Sequence, residues 1–114
     1  NYPDPVMPDP KIFGEKSIMV LGEFGGLGLP LEGHTWQLKD NWGYQSFSTA
    51  EDLKARYSAL IDDLSKYIPR GLAAAVYTQT TDVEIETNGL MTYDRQVIKI
   101  AIEELKKMHE KLYK

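Results

Sequence analysis

From Leu53 to Ile68 the apolar residues Leu53, Tyr57, Leu60, Ile61, Leu64 and Ile68 return every three or four positions, with Asp52, Lys54, Arg56, Asp62 and Lys66 between them. That spacing predicts an amphipathic helix with one buried stripe. Ser48-Thr49-Ala50-Glu51 reads as its capping box, the Ser48 hydroxyl accepting from a first-turn amide while Glu51 reaches back. Its acidic beginning suits the helix dipole, and Pro69-Arg70-Gly71 ends it. A second stripe, Val97, Ile98, Ala101, Ile102, Leu105, Met108 and Leu112, predicts a last helix capped by Asp94, with Glu103 to Lys107 and Lys106 to Glu110 as i,i+4 charge pairs on its wet side.

Two other apolar runs are too short for helices. Ser17 to Gly22 carries Ile18-Met19-Val20-Leu21, and Leu72 to Tyr77 reads Leu-Ala-Ala-Ala-Val-Tyr, both without polar alternation. Such runs suit strands of a parallel sheet covered on both faces. Three alanines favour helix, but the second run is short, comes after a helix stop and completes a βαβ unit. Asn1 to Pro10 holds four prolines and predicts an extended loop; Lys11 to Lys16 is a short helix or turn. Phe24 to Phe47 is a long connection, and Thr78 to Thr87 a polar lip or short hairpin before the turn at Asn88-Gly89.

The order is therefore α/β, amounting to two βα units. With 114 residues, an opening straight into Tyr2-Pro3-Asp4-Pro5 and no initiating methionine, the chain reads as a piece of a longer protein. Its 13 basic and 17 acidic side chains form no basic cluster of the kind that neutralises phosphates, so nucleic acid is not an expected partner. No apolar run reaches the length of a membrane span, so no membrane is expected either. Without cysteine there is no disulfide framework and no thiolate metal site, and the compartment stays open. Neither cofactor nor metal is expected.

The chemistry concentrates at Met19-Val20-Leu21-Gly22-Glu23-Phe24-Gly25-Gly26, where an apolar strand ends in one carboxylate among glycines. Glycines let backbone or ligand come close, and the C-terminal ends of parallel strands are where barrel enzymes gather catalytic side chains. The long connection adds Trp36, Gln37, Trp42, Tyr44 and Gln45, rings that stack on sugar faces or bury the loop, and amides that meet hydroxyls. His34, without a partner at ligand spacing, reads as a loop hydrogen-bonding residue.

Gly22-Glu23-Phe24-Gly25-Gly26 resembles the strand-seven nucleophile motif, Ser/Gly-Glu-Phe/Tyr-Gly, of glycoside hydrolase family 2, which includes β-galactosidases, β-glucuronidases and β-mannosidases. Three more stretches are similar to that family and stand in its order. Tyr2-Pro3-Asp4-Pro5 matches the segment after strand six, Ala75-Val76-Tyr77-Thr78-Gln79-Thr80-Thr81-Asp82 the eighth strand and its lip, and Asn88-Gly89-Leu90-Met91-Thr92-Tyr93-Asp94-Arg95 the turn into the last helix. The resemblance spans Tyr2 to about Lys107. It implies that residues 1–114 are a C-terminal fragment of a TIM (β/α)8 barrel, a fold of about 250 residues, covering roughly strands seven and eight.

The same resemblance implies Glu23 as nucleophile of a retaining hydrolase of terminal β-linked sugars, β-galactoside first, with β-glucuronide or β-mannoside behind. It implies Tyr2, Trp36, Gln37, Tyr77 and Gln79 as substrate-binding residues and an oligosaccharide or glycoside as substrate. Tyr77 stands where the family usually has tryptophan, which bears on sugar preference; its other reading is a core aromatic in a barrel strand. The family's acid/base comes after Asn in an Asn-Glu pair, and no Asn-Glu occurs in this sequence; the alternation of Asp82, Glu84 and Glu86 fits a solvated hairpin. The isolated chain is therefore expected to be inactive, to need the remainder of its parent chain, and by itself to form a homo-oligomer through exposed strand edges. The other reading is a non-catalytic carbohydrate-binding or structural barrel fragment.

Overall fold

Leu72-Ala73-Ala74-Ala75-Val76-Tyr77 forms a strand despite its alanines because a partner strand lies beside it. In the computed structural model, which describes residues 4–14 and 16–113, β1 (Met19–Gly25) pairs in parallel with β4 (Leu72–Thr78). Between them come two short strands, β2 (Leu27–Gly28) and β3 (Gln45–Ser46), also parallel to each other, and the helix α2 (Ala50–Tyr67). A one-turn helix α1 (Pro10–Phe13) precedes β1, and α3 (Ile102–Glu110) closes the chain with a 3-10 turn at Lys111–Tyr113. The architecture is mixed α/β with short parallel strands.

The expected stripe of α2 is the core. Leu53, Tyr57, Leu60, Ile61 and Leu64 are buried against Met19 and Phe24 of β1, Leu27, Leu29, Leu72 of β4, and Ile100. Each such side chain contributes about 1.5–3 kcal/mol by leaving water. Leu21, Ala75 and Tyr77 pack against this cluster. The opposite side of the strand pair is left open: Val20 is 49% and Val76 54% exposed. Helix α2 stops as its sequence demands, through a 3-10 turn at Ile68–Arg70 closed by Gly71 at φ 103°, whose amide donates to the Ile68 carbonyl.

The β1–β4 register is irregular in two places, between Met19 and Val20 and between Leu21 and Phe24. The second bears on the chemistry. Leu21 faces Ala75 and Phe24 faces Tyr77, so three steps along β1 span two along β4. The extra residue of β1 falls at Gly22-Glu23, a bulge of the kind that re-aims a side chain. Beyond it, Gly25 sits at φ 108° with its α-carbon so close to the Tyr77 ring that any β-carbon there would overlap it. Glycine is required at that position on both counts.

Several expectations are corrected. The first strand runs Met19–Gly25 and not Ser17 to Gly22, so Glu23 lies inside it. Thr49, not Ser48, caps α2, its side chain accepting from the Asp52 amide at 3.2 Å. Asp94 caps no helix: its Oδ1 accepts from the Gln96 amide at 3.1 Å and from the Thr92 hydroxyl at 2.6 Å, a local turn that competes with helix, and Arg95 comes next at φ 59°. Val97, Ile98 and Ala101 therefore lie before α3, whose first turn carries Glu103 and Glu104 at the positive end of its dipole. Among the described residues, α3 carries an i,i+3 ion pair between Lys106 and Glu103 at 3.2 Å, and Glu104 pairs with Lys54 of α2 at 2.9 Å. Pro10 begins α1, where proline lacks no needed amide, with Asp9 accepting from the Lys11 amide at 2.9 Å. Asn1, Tyr2 and Pro3 lie outside the described residues.

The two candidate caps separate cleanly in a stability assay. Thr49→Ala is expected to lower unfolding free energy by about 1 kcal/mol, a typical cap loss, while Ser48→Ala changes it by less than about 0.5 kcal/mol. Urea titrations of both variants check this, and equal losses would return the cap to Ser48.

Candidate functional site

Glu23 is exposed on β1, two residues before the end of the strand. Its neighbours Gly22, a strand glycine with open space where a β-carbon would stand, and Phe24, buried in the core, set it apart from the packed face. Because the strands are parallel, the C-terminal end of β4 adjoins the same end of β1: Gly25 faces Thr78, and the Gly26 amide donates to the Thr78 carbonyl at 2.7 Å. The segment after Thr78 is thereby delivered beside the end of the strand that carries Glu23.

That segment is a tightly bonded lip. The Thr78–Gln79 peptide is cis. The Gln79 amide donates to the Asn88 carbonyl at 3.2 Å, and the Gln79 side-chain Nε2 donates to Asn88 Oδ1 at 2.6 Å and Glu86 Oε2 at 3.3 Å. Val83 and Glu86 exchange amide-to-carbonyl bonds at 3.0 and 2.9 Å, making the expected short hairpin, with Glu84 at φ 51° in its turn. Trp42 from the long connection docks alongside: its amide donates to the Ile85 carbonyl at 2.7 Å and its carbonyl accepts from the Thr87 amide at 2.8 Å.

Beneath the lip is a buried ion pair. Lys99 Nζ lies 2.7 Å from Asp82 Oδ1, with side-chain exposures of 0% and 2%. Lys99 also donates to the Thr87 carbonyl at 2.8 Å, and the Gly89 amide donates to Asp82 Oδ1 at 2.8 Å. Burial pushes the Asp82 carboxyl above its ordinary range and the Lys99 ammonium below its own, each against the pull of the other. Gly89 has no alternative, since a β-carbon there would run into the Asp82 amide and the Thr81 backbone. Asp82 is thus not the solvated hairpin residue expected from its alternation with Glu84 and Glu86. It fastens both limbs of the lip to the segment entering α3.

A second cluster ties the long connection to the turn before α3. His34 Nδ1 is 2.8 Å from Asp94 Oδ2, which makes His34 the loop hydrogen-bonding residue that its isolation suggested. The Thr92 hydroxyl and then His34 hold the Asp94 carboxyl down to about 2. Trp36, 61% exposed, meets Tyr93 edge to face at 5.6 Å. Gln37 turns inward to its own loop, donating to the carbonyls of Lys39 at 2.7 Å and Asp40 at 3.2 Å.

Of the expected site residues, Glu23 and Gln79 share one end of the parallel pair. Tyr77 points the other way: its ring packs at 5.4 Å from Phe24 and 5.0 Å from Tyr57, on the α2 side. Gln37 is committed to its loop, Trp36 stands at the His34–Asp94 cluster, and Tyr2 lies outside the described residues. Sequence reasoning missed Lys99, Asp82 and Glu86. A signal for Lys99 was present, a lone lysine between Ile98 and Ile100 in an apolar run. Among the described residues no group of three or more His, Asp or Glu stands close enough to hold a metal ion, and no helix is long and apolar enough to cross a membrane.

No protein-family model matches this chain, and no curated protein matches it. The functional reading therefore stands on the geometry and on the motifs.

Lys99→Met strands a buried carboxylate and is expected to cost about 3–5 kcal/mol, whereas Asp82→Asn with Lys99→Met, which keeps an acceptor for Gly89, costs less than the sum of the single changes. Chemical denaturation of the four proteins in this cycle measures the coupling; strict additivity would contradict it. Asp94 gives a pH signature. Its folded value, about 2, is below the ordinary 3.8, so its contribution is complete above about 3.8 and lost as pH falls through about 2. Thermal unfolding between pH 5 and 2 is expected to decline less steeply in Asp94→Asn than in the wild type, and parallel declines would contradict the assignment.

Proposed function

We propose that this chain is the strand-seven and strand-eight part of a (β/α)8 barrel in a retaining glycoside hydrolase acting on terminal β-linked sugars, with Glu23 as nucleophile. One observation carries the reading: the extra residue of β1 against β4 falls at Gly22-Glu23, and a carboxylate is left exposed there, beside the lip that begins after Thr78. In barrel enzymes, ligands meet the C-terminal ends of parallel strands. The two parallel strands and the helix between them support two adjacent βα units, with β1 as strand seven and β4 as strand eight.

In that reaction one carboxylate attacks the anomeric carbon and expels the leaving oxygen, which takes a proton from a second carboxyl about 5–5.5 Å from the first; the second carboxyl then takes a proton from the water that releases the sugar. Glu23 supplies the first. The second comes from the remainder of the parent chain, so the 114 residues alone do not turn over. The open face with Val20 and Val76 supports this division, because in a closed barrel it is the interior; in the isolated chain the same apolar strip drives self-association. Tyr77, packed toward α2, is on this reading a core aromatic, and substrate contacts fall to the lip. β-Galactoside is the first substrate to test, ahead of β-mannoside and β-glucuronide.

Trapping with 2-deoxy-2-fluoro glycosides of these three sugars, with peptide mass mapping of the parent protein, is expected to place one sugar adduct on Glu23. Glu23→Gln is expected to take no adduct and to lose at least about a thousandfold in kcat, as loss of a covalent nucleophile does. A folded protein that takes no adduct from any sugar overturns the catalytic reading in favour of a non-catalytic barrel.

A further inference from the structure

Residues 78–91 carry Asp82, Glu84 and Glu86 and no lysine or arginine. Asp82 is buried beneath the lip in its pair with Lys99, and Glu84 occupies the hairpin turn. Glu86 is different. It lies directly opposite Trp42 in a parallel bridge, and aligned residues of a parallel pair put their side chains on the same side. Trp42 is 42% exposed there and braced edge to face by Tyr44 at 4.5 Å. The Gln79 side chain steadies the Glu86 carboxylate, and is itself fixed by Asn88. Lys99 holds the Thr87 carbonyl, one residue from each, so the set is rigid from below.

A carboxylate held on the same side of a bridge as an exposed indole is the chemistry that recognises a pyranose. The ring's C–H face packs on the indole, and a carboxylate, acceptor only, takes hydroxyl donors at both oxygens. With no lysine or arginine in residues 78–91, and with Lys99 paired to Asp82 beneath them, the lip offers an anionic sugar no cationic partner and sets the Glu86 carboxylate against it. We propose that Glu86, Gln79 and Trp42 form a sugar-binding subsite at the end of β4 that reads hydroxyls of a neutral hexopyranoside and rejects uronates. This rests on the glycosidase reading and narrows it, placing galactosides and mannosides above glucuronides.

The test titrates methyl β-D-galactopyranoside, methyl β-D-mannopyranoside and methyl β-D-glucuronide by NMR into the parent protein, 15N-labelled over these 114 residues, with Trp36→Phe assigning the Trp42 indole. The neutral glycosides are expected to shift the Trp42 indole and the Gln79 carboxamide with one midpoint, and glucuronide to bind at least about tenfold more weakly. Glu86→Gln is expected to weaken the neutral glycosides by about tenfold and to narrow the gap to glucuronide. Trp42→Ala, checked for an unchanged amide spectrum away from the lip, is expected to weaken all three. Shifts that spare Trp42 and Gln79, or a Glu86→Gln profile identical to wild type, overturn the subsite. A Glu23 adduct in a protein whose lip does not respond overturns the subsite and leaves the nucleophile standing. A lip response without any adduct supports the subsite and overturns catalysis.

Discussion

The parallel pairing of Met19–Gly25 with Leu72–Thr78 is the constraint on which everything else in this chain rests. Parallel strands demand a crossover, which α2 supplies, and the apolar stripe of α2 then covers one side of the pair. The same parallel sense puts both C-terminal strand ends together, so one residue of β1 and the loop after β4 become neighbours although they are far apart in sequence. Gly25, pressed against the Tyr77 ring, locks that end. The bulge at Gly22-Glu23 is a small departure from the ladder with a large consequence, since a slip of one residue moves a side chain to the other face of a sheet.

The lip after β4 depends on a different force. Its sequence is polar and β-branched, with too little apolar surface to bury, and a loop of that kind is ordinarily mobile. Here the Asp82–Lys99 pair, with Thr87 and Gly89 bonded to the same two charges, anchors it from below. Taking two charges out of water makes such a pair weak as a stabiliser, yet costly to break and specific in geometry. In this loop Gln79 bonds both Glu86 and Asn88, an arrangement that gains from specific geometry more than from strength.

Much of the fold was legible. The stripe of α2 comes from spacing alone, and β4 was readable against its alanine propensity because a helix stop precedes it. The errors share a cause. Ser48 and Thr49 are chemically alike, so only the backbone angles decide which one caps. Asp94 has the side chain of a helix cap, but Thr92 and His34 recruit it into a turn, and His34 is sixty residues away. Asp82 alternates with Glu84 and Glu86 as a solvated hairpin residue does; its burial depends on Lys99, whose place across the lip no local pattern encodes. Tyr77 had two readings, a sugar-stacking ring by resemblance or a core aromatic, and its ring packs against the core beside Phe24 and Tyr57, a choice between faces that the strand sequence alone does not make.

The role of Glu23 depends on the parallel register leaving its side chain out of the core, on the strand pair whose C-terminal end bears the lip. Nuclear Overhauser contacts in the isotope-labelled protein measure it directly. Cross-strand contacts are expected from Leu21 to Ala75 and from Phe24 to Tyr77, with an interruption at Gly22-Glu23 and no contact from the Glu23 side chain to α2. An uninterrupted register from Leu21 to Phe24, or Glu23 protons close to Tyr57 or Ile61, would contradict it.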